Sequence, residues 1–223
     1  MIITIDGPAA AGKGTLSKAL AEKYEYTYFD TGMIYRAVGL QMLLNGKDLA
    51  DSDAAEALAA KLTFAEMNKL SKHPDFRSAE GGNAASVVSA YPEVRAALLK
   101  MQRDFACNPV FADGTPAKGV IYDGRDTGTV VCPSADVKFF ITASPEVRAE
   151  RRYKEFLEKG MTADYDKVLA DVKARDERDA NRASAPMKPA ADAVVFDTTD
   201  LSIREVFAKA CRIIDSVLEE KNA

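Results

Sequence analysis

The chain has 223 residues, of which 47% are hydrophobic and 29% are charged. This is enough apolar material for one hydrophobic core, and we expect a single domain over residues 1–223. The 30 basic and 34 acidic residues give a net charge of −4, which offers no general attraction to nucleic acid or to an anionic membrane. No apolar run approaches the length of roughly 18 residues that a membrane span needs. We therefore expect neither nucleic-acid nor membrane partners, and the balanced composition favours a monomer.

The three cysteines, Cys107, Cys132 and Cys211, are odd in number and widely spaced. They form no Cys-x-x-Cys pair and no cysteine and histidine pattern, which disfavours both a disulfide framework and a structural zinc site. The opening residues also lack the charged segment of a signal peptide. We therefore expect a protein of the reducing cytoplasm, and we identify no metal-ligating residues.

The first predicted element is a strand at residues 2–5, a β-branched run that leads into Asp-Gly-Pro. Leu16, Leu20 and Tyr24 then recur at helical spacing. Extended runs return at residues 26–29, 120–122, 137–141 and 194–196, with helical segments between them. Strands that alternate with helices predict an α/β fold with a mainly parallel, five-stranded sheet covered by helices.

Two of the later helices carry recognisable end signals. Ser144 and Pro145 supply a capping hydroxyl and a preset φ at a helix start, and Gly160 is the predicted C-terminal stop. Ser202 and Glu205 have the spacing of a capping box before an apolar stripe. These signals predict a helix after each serine.

Two segments look irregular. Residues 68–83 contain the only histidine, His73, directly before a proline, and residues 107–119 contain Pro109, Gly114 and Pro116. Such residues interrupt regular structure. We predict a surface loop in each segment.

The strongest local signal is a glycine-containing loop between the first predicted strand and the first predicted helix. Such a loop wraps a phosphate with backbone N–H groups, and glycine serves where a Cβ would block the approach or where φ is positive. The lysine and the positive end of the helix add attraction for an anion. A plain turn before a surface lysine is the alternative, but the strand and helix on either side favour phosphate binding. The predicted residues are Gly7, Pro8, Ala9, Ala10, Ala11, Gly12, Lys13, Gly14 and Thr15.

The residue after the lysine departs from the general pattern. Phosphate-binding loops usually place Ser or Thr there to bind magnesium, whereas this chain has Gly14 followed by Thr15. Direct magnesium ligation by Thr15 is therefore not predicted. A guanine-reading Asn-Lys-x-Asp is also missing, since residues 68–71 lack the final acid. The loop alone leaves open a kinase, an ATPase motor and a nucleotide switch.

Two further segments follow predicted strands, where parallel sheets bind their ligands. The first contains Arg36, which can offer a bidentate fork to a second phosphate. A helix cap with Arg36 exposed is the alternative. The second contains Asp123, Arg125 and Asp126 at the end of a buried strand, where charges are costly unless they meet partners. We favour a ligand-binding site over a salt-bridged turn for this segment. Arg125 would bind a phosphate, and Asp123 or Asp126 would position metal-bound water or a substrate donor group.

Two arginine-rich stretches form the fourth signal. In helical geometry each stretch places its members on one face. Acidic residues are interleaved, so an ordinary solvated surface is the alternative, and the pattern argues against nucleic-acid binding. The two groups are Arg148, Arg151 and Arg152, and Arg175, Asp179 and Arg182.

These motifs occur in the order seen in bacterial cytidylate kinases, and the chain resembles that family along nearly its whole length. The most specific segments are Asp-Gly-Arg-Asp-x-Gly-Thr-Val-Val at residues 123–131 and the run ending in Asn-Arg at residues 175–182. The resemblance implies a P-loop nucleoside monophosphate kinase fold with a small lid and a monophosphate-binding region. It also implies transfer of the γ-phosphate of MgATP to CMP or dCMP, which gives ADP and CDP or dCDP.

The resemblance implies roles for particular residues. The monophosphate-binding region would cover residues 31–110, and the lid with its adjoining arginine-rich helix would cover residues 146–182. Lys13, Arg125, Arg151 and Arg152 would act in catalysis, with Arg148 in the same lid. The implied acceptor-binding residues are Thr31, Arg36, Ser86, Arg95, Arg125, Asp126, Arg175, Asp179 and Arg182. The base would face Thr31, Ser86, Arg95 and Asp126.

One departure from the family concerns residues 62–82. Many members carry a β-rich insertion there, whereas this segment is short and looks loop-like. Residues 107–119 are longer than the family suggests. UMP or AMP as the acceptor, and an ATP-binding switch without phosphoryl transfer, stay open as alternatives. Arginines suited to a second phosphate site favour a kinase over a switch.

Overall fold

The computed structural model of the chain describes residues 1–158 and 160–222. The chain divides into two compact units. The first, called the sheet unit here, comprises Met1–Phe29, Asn108–Asn181 and Pro186–Ala223. The second, called the helical unit, comprises Asp30–Cys107 and Arg182–Ala185.

The described strands form one five-stranded sheet. In chain order they are β1 (Ile2–Asp6), β2 (Thr27–Asp30), β3 (Val120–Gly124), β4 (Val137–Thr142) and β5 (Val194–Asp197). Their order in the sheet is β2-β3-β1-β4-β5. Strand β1 pairs in parallel with β3 and with β4, and β4 pairs in parallel with β5. The predicted α/β fold with a mainly parallel five-stranded sheet is confirmed.

Strand β1 lies at the centre of this sheet. Ile3 and Ile5 have no exposed surface, as expected for a strand covered on both faces. Asp6 is the register partner of Gly124 in β3. The two strands therefore end at the same level, and the polar residues that follow them emerge at one edge of the sheet.

Two of the described helices begin where the capping residues in the sequence predicted. In chain order the helices are α1 (Lys13–Tyr24), α2 (Gly32–Leu44), α3 (Ser52–Lys61), α4 (Phe64–Leu70), α5 (Ala79–Val88), α6 (Pro92–Cys107), α7 (Pro145–Glu158), α8 (Tyr165–Asn181) and α9 (Ile203–Asn222). Ser144 accepts the backbone N–H of Val147 at the start of α7. Ser202 and Glu205 form a reciprocal capping box before α9. Both predicted helix starts are confirmed.

The loop predicted at residues 68–83 is wrong, as is the loop-like character given to residues 62–82. Helix α4 extends into this segment, a 3₁₀ turn follows it, and α5 begins before it ends. The side chain of Ser78 caps α5 by accepting the backbone N–H of Gly81 at 3.0 Å. A Cβ on Gly81 would lie 2.3 Å from the carbonyl oxygen of Asp75. Ser78 and Gly81 therefore allow a helix start and a close backbone contact within the segment predicted to be a loop.

The segment at residues 107–119 is irregular after the end of α6, as predicted, with one isolated antiparallel bridge between Val110 and Pro116. The helical face predicted for Arg182 is wrong, because α8 ends at Asn181. The backbone N–H of Met187 donates to the Asp179 carbonyl at 2.8 Å and turns the chain back at this end. Among the described residues, no helix combines the length and the apolar character that crossing a membrane requires.

Candidate active site

The predicted phosphate-binding loop connects β1 to α1 in the sheet unit. Gly7 has φ 138° and Gly12 has φ 95°, backbone angles that residues other than glycine rarely adopt. A Cβ on Gly7 would lie only 1.9 Å from the carbonyl oxygen of Ile141. The backbone can therefore follow this tight path only with glycine at position 7. The loop ends at the positive end of α1, where backbone N–H groups are available to an anion.

Lys13 is the charged residue of this loop. Its Nζ donates to the carbonyl of Pro8 at 2.8 Å and lies 3.9 Å from Oδ1 of Asp123. Burial, together with the positive charges of Arg125 and Arg175, lowers the pKa of Lys13 to about 7, and the negative charge of Asp123 opposes this shift. An anion beside Nζ would offset these positive neighbours. The geometry therefore suits a site that gains stability when it binds phosphate.

Gly14 stands where many phosphate-binding loops have a hydroxyl. A Cβ there would lie 3.4 Å from Oδ2 of Asp123 and 3.8 Å from the hydroxyl of Tyr28. Tyr28 donates that hydroxyl to the same Oδ2 at 3.2 Å. Thr15 is exposed one position further along α1. A carboxylate held by a phenol thus lies beside position 14.

Asp6 fixes the turn that follows β3. Its carboxylate accepts the N–H and the hydroxyl of Thr127 and the N–H of Gly128, at 2.8 to 2.9 Å. Burial raises the pKa of Asp6, while these hydrogen bonds lower it. The neighbouring Asp126 is also buried. Asp6 therefore holds in place the segment that carries Arg125 and Asp126.

Arg125, Arg175 and Asp179 form one ion-paired group in the sheet unit. Nε of Arg125 donates to Oδ2 of Asp179 at 3.0 Å, and Nε of Arg175 lies 3.8 Å from the same oxygen. Asp179 is buried, whereas both arginines keep part of their side chains accessible. Two guanidinium groups share one carboxylate, so the group has positive charge left for an anionic ligand.

Arg151 contacts the phosphate-binding loop through one intermediary. Its guanidinium donates to the hydroxyl and to the carbonyl of Thr198, at 3.1 and 2.7 Å. The Thr198 hydroxyl also lies 3.1 Å from the carbonyl of Ala11 in the loop. The guanidinium of Arg152 instead lies over the ring of Phe156, 5.0 Å from its centre. Thr198 was not predicted from the sequence, since a threonine that follows a strand carries no distinctive signal.

The helical unit contains Arg36 near the start of α2. Its Nη1 donates to the carbonyl of Phe76 at 3.0 Å. A Cβ on Gly82 would lie 3.4 Å from Nη2 of Arg36, so the absence of a side chain there makes room for the guanidinium. Thr31 is buried immediately before α2. The side chain of Asp30, the residue before Thr31, accepts the backbone N–H of Gly32 at 2.9 Å.

Arg95 and Ser86 are buried in the same unit. Arg95 donates to the carbonyl of Ser89 at 3.0 Å, and its Cζ lies 5.1 Å from the centre of the Tyr35 ring. This contact is in the range of a cation–π interaction. Burying the charge of an arginine costs free energy unless the guanidinium has hydrogen-bonding or charged partners, and these two contacts compensate part of that cost. Arg182 donates its Nε to the carbonyl of Ala185 at 2.7 Å.

Comparison with known proteins decides the family. A family model described as cytidylate kinase matches residues 3–216. The chain belongs to the cytidylate kinase family. A cytidylate kinase of Paramagnetospirillum magneticum is 53% identical over 215 residues, which cover 96% of this chain and 98% of that protein. A cytidylate kinase of Methylocella silvestris is 47% identical over 223 residues, covering 100% of this chain and 98% of the relative.

A solved structure shows a similar fold at low sequence identity. It is an uncharacterized protein from Eubacterium ventriosum, with a TM-score of 0.51 and 15% identity, and the alignment covers 97% of this chain and 98% of that one. Membership of the cytidylate kinase family therefore rests on the family model and the full-length relatives, and the structural likeness concerns the fold alone.

Proposed function

We propose that this protein transfers the γ-phosphate of ATP to CMP or dCMP, giving ADP and CDP or dCDP. The observation that carries this proposal is the Arg125, Asp179 and Arg175 group, which accompanies a complete phosphate-binding loop in the sheet unit. A protein that only binds ATP has no need of this extra positive charge. The names of the full-length relatives support CMP as the acceptor.

The phosphates of ATP are the ligand we assign to residues 7–15. The loop supplies backbone N–H groups, and Lys13 supplies a buried positive charge. Arg151 and Arg152 act as lid residues that neutralise charge on the transferred group. The link from Arg151 through Thr198 to Ala11 gives the lid helix a defined position against the loop.

The acceptor nucleotide is the ligand we assign to a second set of residues. Arg36 and Arg125 bind its phosphate, and Arg175 and Asp179 lie near the sugar hydroxyl groups, with Arg182 near the nucleotide. Donors and acceptors on a base edge are read by hydrogen bonds. The cytosine-reading residues that we propose are Thr31, Ser86, Arg95 and Asp126.

The reaction needs positioning more than acid–base chemistry. An oxygen of the acceptor phosphate attacks the γ-phosphorus as the bond from that phosphorus to the β–γ bridging oxygen of ATP breaks, and ADP leaves. The attacking oxygen is already anionic near neutral pH, so no proton has to be removed first. The protein has to align two polyanions and neutralise their charge, which is the task of Lys13 and the arginines.

Magnesium fits this site as a companion of the ATP phosphates. It prefers oxygen ligands, keeps several waters and needs only one or two carboxylates in addition to phosphate. Asp123 offers a carboxylate beside Lys13 and the side-chain-free position 14. Within the described residues, no group of three or more His, Cys, Asp or Glu side chains is arranged around a metal position. We therefore propose that Asp123 holds the ion through water, where it would neutralise phosphate charge.

The test is ADP production from MgATP with purified protein and with CMP, dCMP, UMP, AMP, GMP or no acceptor. The proposal expects turnover mainly with CMP and dCMP. Turnover with another monophosphate would keep the kinase and overturn the assignment of the base-reading residues. ADP release that does not depend on any acceptor would favour an ATPase or a nucleotide switch.

Two variants test the division into donor and acceptor residues. Lys13→Ala should sharply reduce turnover, because the loop loses its charge. Arg125→Ala should raise KM for CMP while calorimetry finds ADP affinity nearly unchanged. An equal loss of ADP affinity in both variants would contradict the division.

We further propose that CMP, dCMP and ATP are the partners of the protein, that it acts as a monomer and that it works in the cytoplasm. The three free thiols at Cys107, Cys132 and Cys211 support a reducing compartment. The assignment of residues 31–110 to monophosphate binding and of residues 146–182 to the lid also stays a prediction. Gel filtration with light scattering at several protein concentrations tests the monomer.

A further inference from the structure

Arg148 differs from the other arginines of α7 in being almost wholly enclosed. Only 3% of its side chain is accessible. Its Nε donates to the carbonyl of Ala143, just after β4, at 2.9 Å. Its Nη1 donates to the carbonyl of Ala9 in the phosphate-binding loop at 3.3 Å. The guanidinium thus points at protein acceptors, although the sequence suggested a lid arginine.

The strongest partner of Arg148 is Asp176 on α8. Nη1 and Nη2 of the arginine donate to the two carboxylate oxygens, at 3.0 and 2.5 Å. A bidentate pair of this kind fixes orientation as well as distance, because both groups are planar. A lysine could carry the charge but could not make the same set of contacts.

Asp176 lies in the same part of α8 as two residues of the ion-paired group. Asp176 directly follows Arg175 and lies one helical turn before Asp179. Asp179 in turn accepts the hydrogen bond from Arg125. The orientation that Arg148 imposes on Asp176 therefore extends to the turn of α8 that carries the ion-paired group.

We propose that Arg148 is a positioning residue that acts through Asp176. It holds the turn of α8 carrying Arg175 and Asp179 in register with the phosphate-binding loop at Ala9. Donor phosphates and the acceptor-binding arginine group then keep one fixed separation within the sheet unit. This inference rests on the proposed kinase function, and it assigns Arg148 no direct contact with either nucleotide.

If the Arg148–Asp176 pair only stabilised the fold, a different result would be expected. Loss of such a pair would lower the melting temperature and leave kcat and KM of the folded protein unchanged. A positioning pair changes the kinetics of folded protein, since misplacement by about 1 Å can cost roughly 100-fold in rate. Comparing the melting temperature with kcat and KM of the folded protein therefore distinguishes a structural role from a positioning role.

The experiment compares Arg148→Lys, Asp176→Asn and the double variant with unmodified protein. Circular dichroism first establishes that each is folded at the assay temperature. We expect kcat/KM for CMP to fall roughly 10- to 100-fold in each single variant. Because the two residues act as one unit, the double variant should lose little more than either single one. Glu150→Gln, which breaks the exposed Lys154–Glu150 pair on the same helix, is the matched control.

Calorimetric titration with ADP supplies a readout that does not depend on turnover. Loss of the contact with Ala9 should weaken ADP binding several-fold in Arg148→Lys, whereas Asp176→Asn should mainly affect the acceptor. Kinetic constants and ADP affinity within twofold of the unmodified protein in both folded variants would overturn the positioning role. Independent, additive losses would also overturn it. Absence of turnover with every nucleoside monophosphate tested on the unmodified protein would refute the kinase instead, and the ADP titration would still test Arg148.

Discussion

Arg125 and Asp179 are 54 residues apart in the chain, and Nε of the arginine donates to Oδ2 of the aspartate at 3.0 Å. The carboxylate is almost enclosed, while the guanidinium is partly accessible. Because Arg175 lies beside the same oxygen, one buried carboxylate orients two arginines. The pair joins the turn after β3 to α8, and it explains why an acidic residue is needed inside a site for polyanions.

We expect Asp179→Asn to impair acceptor use more than donor use. Loss of a charge-assisted hydrogen bond costs about 1.5–3 kcal/mol, which corresponds to a rise in KM for CMP of roughly 10- to 100-fold. Asp171→Asn, at an exposed position on the same helix, is the control. Steady-state kinetics with each substrate varied in turn measure the effect. An unchanged KM for CMP would show that Asp179 does not organise the acceptor site.

The lowered pKa of Lys13 predicts a pH dependence of ATP use. The protonated amine binds phosphate, and its pKa is about 7 in the free protein. The value of kcat/KM for ATP reports the free enzyme, so it should fall between about pH 7 and pH 9. Lys13→Arg should lose this fall, because arginine stays charged over the range. The same pH profile in both proteins would assign the titration to another group.

The same lysine predicts how stability changes with pH. Folding lowers the pKa of Lys13 from the ordinary 10.5 to about 7, so the folded state binds fewer protons than the unfolded state between these values. Its contribution to the free energy of unfolding therefore rises with pH across this window and is least favourable below it. Urea unfolding at several pH values measures this effect. The contribution of Lys13 to the free energy of unfolding should rise with pH in the unmodified protein, and this rise should be missing in Lys13→Met.

Gly7→Ala should be far more damaging than Gly46→Ala. Both glycines have positive φ, but a Cβ at position 7 would lie 1.9 Å from the carbonyl oxygen of Ile141, whereas nothing lies within 4 Å of one at position 46. The left-handed conformation alone costs Gly46→Ala about 1–2 kcal/mol. Yield of folded protein and the melting temperature measure the difference. Equal melting temperatures would contradict the tight passage of the loop beside β4.

Arg95→Met should weaken CMP binding without weakening ADP binding. Methionine keeps the apolar stem of this buried residue and removes the group that donates to Ser89 and lies over Tyr35. We expect KM for CMP to rise roughly 10- to 100-fold, as for the loss of a charged hydrogen-bonding group. Lys100→Met, at an exposed position on the same helix, should change little. A matching rise in the ADP dissociation constant would argue that Arg95 has a general structural role.

Local signals in the sequence determined much of what the structure shows. A β-branched run, a glycine loop and a helix with a lysine at its start predicted β1, the phosphate-binding loop and α1, because backbone conformation there depends on neighbouring residues. The capping residues Ser144 and Ser202 determined helix starts for the same reason. Motif order along the chain sufficed to identify the family.

The tertiary structure decided which charged residues are enclosed and which residues they contact. The sequence grouped Arg148 with Arg151 and Arg152, yet only the fold shows that Arg148 faces Ala9 and Asp176. The helices inside residues 62–83 likewise depend on close packing that Gly81 permits, which no local pattern announces. Helix starts and glycine turns depend on adjacent residues, whereas burial and ion pairing depend on residues far apart in the chain, and only the folded chain brings those together.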